Sequence, residues 1–132
     1  MQEIKKDGII YAIFIETKNL ENGVKWYTGP EETLQVCTRK YRGAKVKHLQ
    51  HHYHEKIVRE IIETQECYIL IEGRLSAKLY DNKKRMFREL DMREGDILIL
   101  LRGGHGFTIH SDRCTIYEIK AAKFVKDIVY LP

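Results

Sequence analysis

No apolar run in this sequence approaches the ~20 residues that cross a bilayer as a helix, and residues 1 to 8 lack the apolar core of a secretory signal. Those two absences predict a cytoplasmic protein without a membrane partner. Cysteine is scarce: Cys37, Cys67 and Cys114 are odd in number, widely spaced and free of any Cys-x-x-Cys pair. That pattern argues against a disulfide framework and a thiolate zinc site, and predicts three buried thiols. No block of one charge occurs either, because 23 basic residues are interleaved with 19 acidic ones for a net charge of +4. A nucleic-acid partner, which needs a basic stripe on a recognisable module, is therefore not expected, although a local basic pocket for phosphate is compatible with this balance. Internal repeats of solenoid length and long segments with a 3.6-residue apolar period are missing as well.

What is present is a chain of 132 residues, 43% apolar and 32% charged, which suits one domain spanning residues 1 to 132 with its own core. Residues 9 to 15, Ile-Ile-Tyr-Ala-Ile-Phe-Ile, read as a buried strand. Residues 18 to 33, with Asn22-Gly23 and Gly29-Pro30, read as a loop or loose hairpin. Strands are predicted over 34–42, 45–54, 67–71, 75–80, 88–90, 97–101, 107–110 and 114–119, and an extended hairpin over 55–64. Short strands with turns every eight to twelve residues indicate an all-β sandwich or barrel.

Two pieces carry the chemistry. Along an extended chain, side chains alternate faces, so His52 and His54 project to one side as a two-pronged metal claw while Tyr53 points away. Glu66, at the head of the 67–71 strand, and His105, after Gly103-Gly104, complete a site for a divalent ion if their strands are neighbours. Glu66 reads either as a ligand or as a hydrogen-bond partner that orients a histidine. Tyr68 shares its face and offers a hydroxyl or a wall. Arg59, Lys56 and Arg102 suit the mouth of a pocket for an anionic substrate, or are simply solvated. Glu118 and Lys120 share a strand face as a structural or catalytic pair.

His52-x-His54, followed by Glu66 and Gly73, resembles the first motif of the cupins, and Gly95-Asp96 followed by Gly103-Gly104-His105 resembles the second. Val46 replaces the leading glycine of the first motif, and Leu101 the proline of the second. The likeness covers about residues 34 to 120 and implies a double-stranded β-helix, the jelly roll or cupin barrel, flanked by N-terminal strands and a C-terminal tail. It also implies one divalent transition metal (Fe, Mn, Ni or Zn) on His52, His54, Glu66 and His105. Arg59-Glu60-Ile61 with Thr64-Gln65-Glu66 is similar to small bacterial cupins associated with surface-polysaccharide and nucleotide-sugar biosynthesis.

This resemblance implies carbohydrate metabolism: a small-molecule ligand that is a sugar or sugar-nucleotide derivative, and isomerase or epimerase chemistry. Glu66 and Tyr68 would then be catalytic, with Arg59 and Arg102 holding the anionic part of the substrate. A non-haem iron oxygenase and a non-catalytic small-molecule sensor are the alternatives. The apolar segments Ile9–Ile15 and 128–131 exceed what a small barrel needs to cover its edges, and with the resemblance they predict a homodimer.

Overall fold

The computed structural model describes residues 1–42, 49–56, 60–61, 63–121 and 128–131. Ten strands are formed among them: β1 (Gln2–Lys6), β2 (Ile9–Ile15), β3 (Gly23–Trp26), β4 (Cys37–Lys40), β5 (Glu66–Glu72), β6 (Leu75–Tyr80), β7 (Met86–Met92), β8 (Ile97–Leu100), β9 (Gly104–Ile109) and β10 (Thr115–Lys120). All pairings are antiparallel. A five-stranded sheet has the order β1-β2-β8-β5-β10, a three-stranded sheet the order β7-β6-β9, and β3 pairs with β4. The chain is all-β among its described residues apart from one 3-10 turn, Thr17–Asn19.

Both faces of the large sheet are apolar, and two separate cores result. From β2, β5 and β8, Ala12, Phe14, Tyr68, Leu70, Leu98 and Leu100 meet Leu75, Ala77, Leu79 and Met92 of the smaller sheet. From the opposite faces of the same strands, Ile13, Ile15, Cys67 and Ile99 pack with Tyr27, Leu34 and Val36 of the hairpin region. This explains the unbroken apolar runs of β2 and β8: alternate residues enter different cores, and only Ile9 at the start of β2 is exposed. β7 is the opposite case. It is an edge strand whose exposed, charged Arg88, Glu89 and Asp91 keep it from pairing further.

Several elements differ from the sequence expectation. β1 was not anticipated, because Gln-Glu-Ile-Lys-Lys buries only Ile4; it forms as the outer partner of β2. β2, expected to flank the barrel, lies inside the large sheet between β1 and β8. β5 and β6, which flank Glu72-Gly73, belong to different sheets, so Gly73 marks a crossing between layers rather than a hairpin. The strand expected over 45–54 does not form across its described part, where 49–56 has no regular structure. Its polar side chains give a strand no apolar face to bury. The remainder of that segment, 45–48, lies outside the described residues, as does much of the expected hairpin over 55–64.

The homodimer expectation also loses part of its motive, since Tyr11 to Ile15 are covered within the chain. Cys67 is buried and its apolar surroundings push the thiol up to about 11, while Cys37 and Cys114 are half-buried and free. No helix among the described residues is long and apolar enough to cross a membrane.

Candidate functional site

Register places polar groups on a face that is otherwise core. On β5 the inward residues are Leu70, Tyr68 and Glu66, so the face changes from aliphatic to phenolic to ionic along the strand. On β9, Phe107 pairs with Ala77 and His105 with Leu79. Because both partners are fully buried, His105 and Phe107 must also point inward. β10 supplies the remaining groups, Lys120 directly opposite Glu66 and Glu118 opposite Tyr68.

These side chains touch. The Tyr68 hydroxyl donates to Glu66 Oε2 at 2.9 Å, and His105 Nε2 lies 3.1 Å from that oxygen and 3.2 Å from the Tyr68 oxygen. The Lys120 ammonium holds Glu66 Oε1 at 2.9 Å and reaches Glu118 at 3.3 Å. Tyr68 has spent its one proton on Glu66, and a carboxylate only accepts. Nε2 of His105 must therefore carry the hydrogen that serves both oxygens, which leaves Nδ1 as the ring's acceptor. The rings of Tyr68, His105 and Phe107 lie with centroids 4.8 to 5.7 Å apart, fixing the imidazole by packing as well.

Burial dominates the proton affinities. It lowers the His105 pKa below the ordinary histidine value of 6.5 despite the Glu66 and Glu118 charges, so the ring is neutral at pH 7. It raises the Tyr68 pKa, with the nearby carboxylates adding to the effect, so the phenol stays protonated. Hydrogen bonds to Glu66 and Glu118 raise the pKa of Lys120.

The cluster opens into a cavity of about 900 Å³. Its walls include Leu100, Gly103 and Gly104, Tyr80, Asp81, Asn82 and Lys84 at the turn after β6, and residues 128–131 of the tail. The two glycines permit a close approach of neighbouring segments. Gly103 has φ +79° and its α-carbon faces the Tyr80 carbonyl, while a Cβ on Gly104 would stand 2.8 Å from Leu131 Cδ1. Thus the tail segment 128–131 lies over the second motif.

Of the residues singled out from sequence, Glu66, Tyr68 and His105 are brought together and Arg102 lines the same cavity. The fork of Arg102 is already filled. Its Nη2 reaches both Glu32 oxygens at 2.9 and 3.1 Å, Nη1 donates to the Ile10 carbonyl, and Nε faces Glu63 at 3.5 Å. Glu32 in turn accepts from Gln65, whose own oxygen takes the Leu34 N–H at 2.8 Å, so Arg102 pins the hairpin region to the cavity rim. Burial works against the Arg102 charge, yet Glu32 and Glu63 outweigh it. Arg59 lies outside the described residues.

His52 and His54 are exposed and face one another, ring centroids 5.0 Å apart, and neither lines the cavity. Among the described residues no group of three or more His, Cys, Asp or Glu side chains converges as a metal shell. Glu66 and His105 do meet, but the carboxylate is neutralised by an ammonium 2.9 Å away, which works against a dication at the same oxygens. The described side chains therefore do not by themselves fit a divalent ion.

Sequence reasoning placed Lys120 and Glu118 as a pair without attaching them to Glu66. It missed Glu32, Asp81 and Lys84 as parts of the cavity's surroundings, because cross-strand register and loop packing carry that information. Comparison with family models, curated proteins and solved structures found no match for this chain.

Proposed function

We propose that the chain is a cupin-like barrel that binds a sugar or sugar derivative and moves a proton on it, as sugar isomerases and epimerases do. One observation carries this reading: a carboxylate, an imidazole and a phenol converge within 3.2 Å of one another on the wall of a large cavity. The pairing of a five-stranded with a three-stranded antiparallel sheet supports the barrel. A cavity lined by Thr64, Tyr80, Asn82 and the ionic cluster suits a polyhydroxylated ligand.

In this mechanism neutral His105 takes a proton from the carbon beside a carbonyl. Glu66 stabilises the imidazolium that forms, as a carboxylate does for any buried histidine base. The Lys120 ammonium, which keeps a third N–H beyond those on Glu66 and Glu118, donates a hydrogen bond to the oxygen on which negative charge develops. The proton then returns to the opposite face of the same carbon, or to the former carbonyl carbon while the hydroxyl on the first carbon gives its proton to the former carbonyl oxygen. Atoms balance without an external reactant.

The test is solvent exchange. Wild-type protein incubated with a panel of free and phosphorylated aldoses and ketoses in D₂O should incorporate deuterium beside the carbonyl of one of them, read by proton NMR. His105→Gln should slow exchange by about 10² to 10⁴-fold. A second reading, binding without turnover, is favoured by the full engagement of Glu66 by Tyr68, His105 and Lys120. It predicts a calorimetric signal with no exchange.

A further inference from the structure

We infer that Lys84 is the anchor for an anionic group on the ligand, so that the substrate of the proposed site is a phosphorylated sugar rather than a neutral one. This deepens the proton-transfer reading and rests on it for the identity of the sugar end. Three cations line the cavity among the described residues: Arg102, Lys120 and Lys84. Arg102 is neutralised by Glu32 and Lys120 by Glu66. No ion pair among the described residues engages Lys84.

The turn that carries Lys84 is held by hydrogen bonds from side chain and backbone. Asp81, 5% exposed, accepts from the backbone N–H groups of Lys83 and Arg85 at 2.9 and 3.0 Å, from Arg85 Nε at 3.2 Å and from the Lys6 ammonium. Lys84 N–H closes onto the Asp81 carbonyl at 2.9 Å, and the Asp81 N–H onto that of Arg85 at the same distance. Within this frame Lys84 takes φ +61°, a left-handed conformation that few non-glycine residues adopt. Such backbone geometry is sustained only where its surroundings over-determine it, and it clusters at binding sites.

Tyr80, the residue before the turn, pairs with Gly104, next to His105. The turn therefore forms the rim just past the acid–base cluster, a short step along the cavity wall. The arrangement separates the roles, with the sugar carbons at Tyr68 and His105 and the charged group at Lys84. A lysine presents a compact ammonium suited to phosphate as a point charge. Phosphate chemistry has two sources here, a sugar monophosphate and a nucleoside diphosphate sugar, and the probes separate them.

Isothermal titration with glucose, glucose 1-phosphate, glucose 6-phosphate, UDP-glucose and galactose 1-phosphate tests the inference on wild type, Lys84→Gln, Lys84→Gly and Lys83→Gln. Lys84→Gly suits the positive φ, so loss of charge is read without loss of the turn. Lys83 shares the turn but does not line the cavity. A phosphorylated probe should bind wild type at least about tenfold more tightly than its neutral parent, as one charge-assisted contact allows. Both Lys84 variants should abolish that margin while leaving the neutral sugar and Lys83→Gln unchanged. Preference for UDP-glucose over all three monophosphates would assign the diphosphate; the reverse would assign a monophosphate. Equal affinity for neutral and phosphorylated sugars, or equal effects of Lys83→Gln and Lys84→Gln, overturns the inference and leaves the proposed function standing. Binding of no sugar at all overturns both.

Discussion

Removing only the hydroxyl of Tyr68, by Tyr68→Phe, asks whether the acid–base cluster is energetically coupled. The ring stays, so its packing against Phe107 is retained. What is lost is the 2.9 Å hydrogen bond to Glu66, a carboxylate with only 8% of its residue surface exposed. Hydrogen bonds to charged groups contribute about 1.5 to 3 kcal/mol. Lys120 and His105 continue to serve Glu66, and the phenol's own burial penalty is relieved, so a value near the lower end, about 1.5 kcal/mol, is expected. In a chain of this length that corresponds to a fall in Tm of about 5 °C.

The discriminating measurement is a double-mutant cycle with Glu66→Gln, followed by urea unfolding. A neutral amide oxygen accepts about half as strongly as a carboxylate. Tyr68→Phe should therefore cost about 0.7 kcal/mol in the Glu66→Gln background, a coupling of roughly 0.8 kcal/mol, within the range found for residues in one network. Equal costs in both backgrounds would mean that the hydroxyl and the carboxylate do not act as a unit, and the reading of the site built on them would fall.

Three further outcomes are expected. Hydrogen bonds from Lys6 and the Arg85 backbone hold the Asp81 pKa well below its ordinary 3.8, so its stabilisation is complete above that value and is lost only as pH falls through the folded value. Asp81→Asn should accordingly be less stable than wild type near neutral pH, with the gap closing below pH 3.8 in acid-unfolding curves; a gap that widens in acid would contradict this. Metal analysis by mass spectrometry of wild type and of His52→Ala with His54→Ala tests the divalent-ion expectation: one equivalent per chain that disappears in the double variant would bring those histidines to the site, and an unchanged stoichiometry would exclude them as ligands. Light scattering should return twice the 15.6 kDa of one chain, since Tyr117, Ile119 and Ile71 stand 62%, 48% and 45% exposed on and beside edge strand β10. Tyr117→Glu should restore the single-chain mass, and a wild-type mass of 15.6 kDa would refute the dimer.

The all-β class was legible in the sequence because β2, β5, β6, β8 and β10 are short runs of β-branched, aromatic and aliphatic residues bounded by turn residues, a signal that depends only on near neighbours. Glu66, Tyr68 and His105 were legible as candidates for the same reason: each is a reactive group inside or beside such a run. The sequence could not show that β5 and β6 part into separate sheets, since a glycine turn reads the same at a hairpin and at a crossing between layers. Nor could it show that Lys120 would face Glu66 or that Arg102 would be claimed by Glu32. Those contacts join positions 54 and 70 residues apart, and only pairing register and loop packing bring them within 3 Å. That Lys84 has no ion-pair partner among the described residues is likewise a product of tertiary structure, because it shows only once the other ionic groups along the wall have been paired.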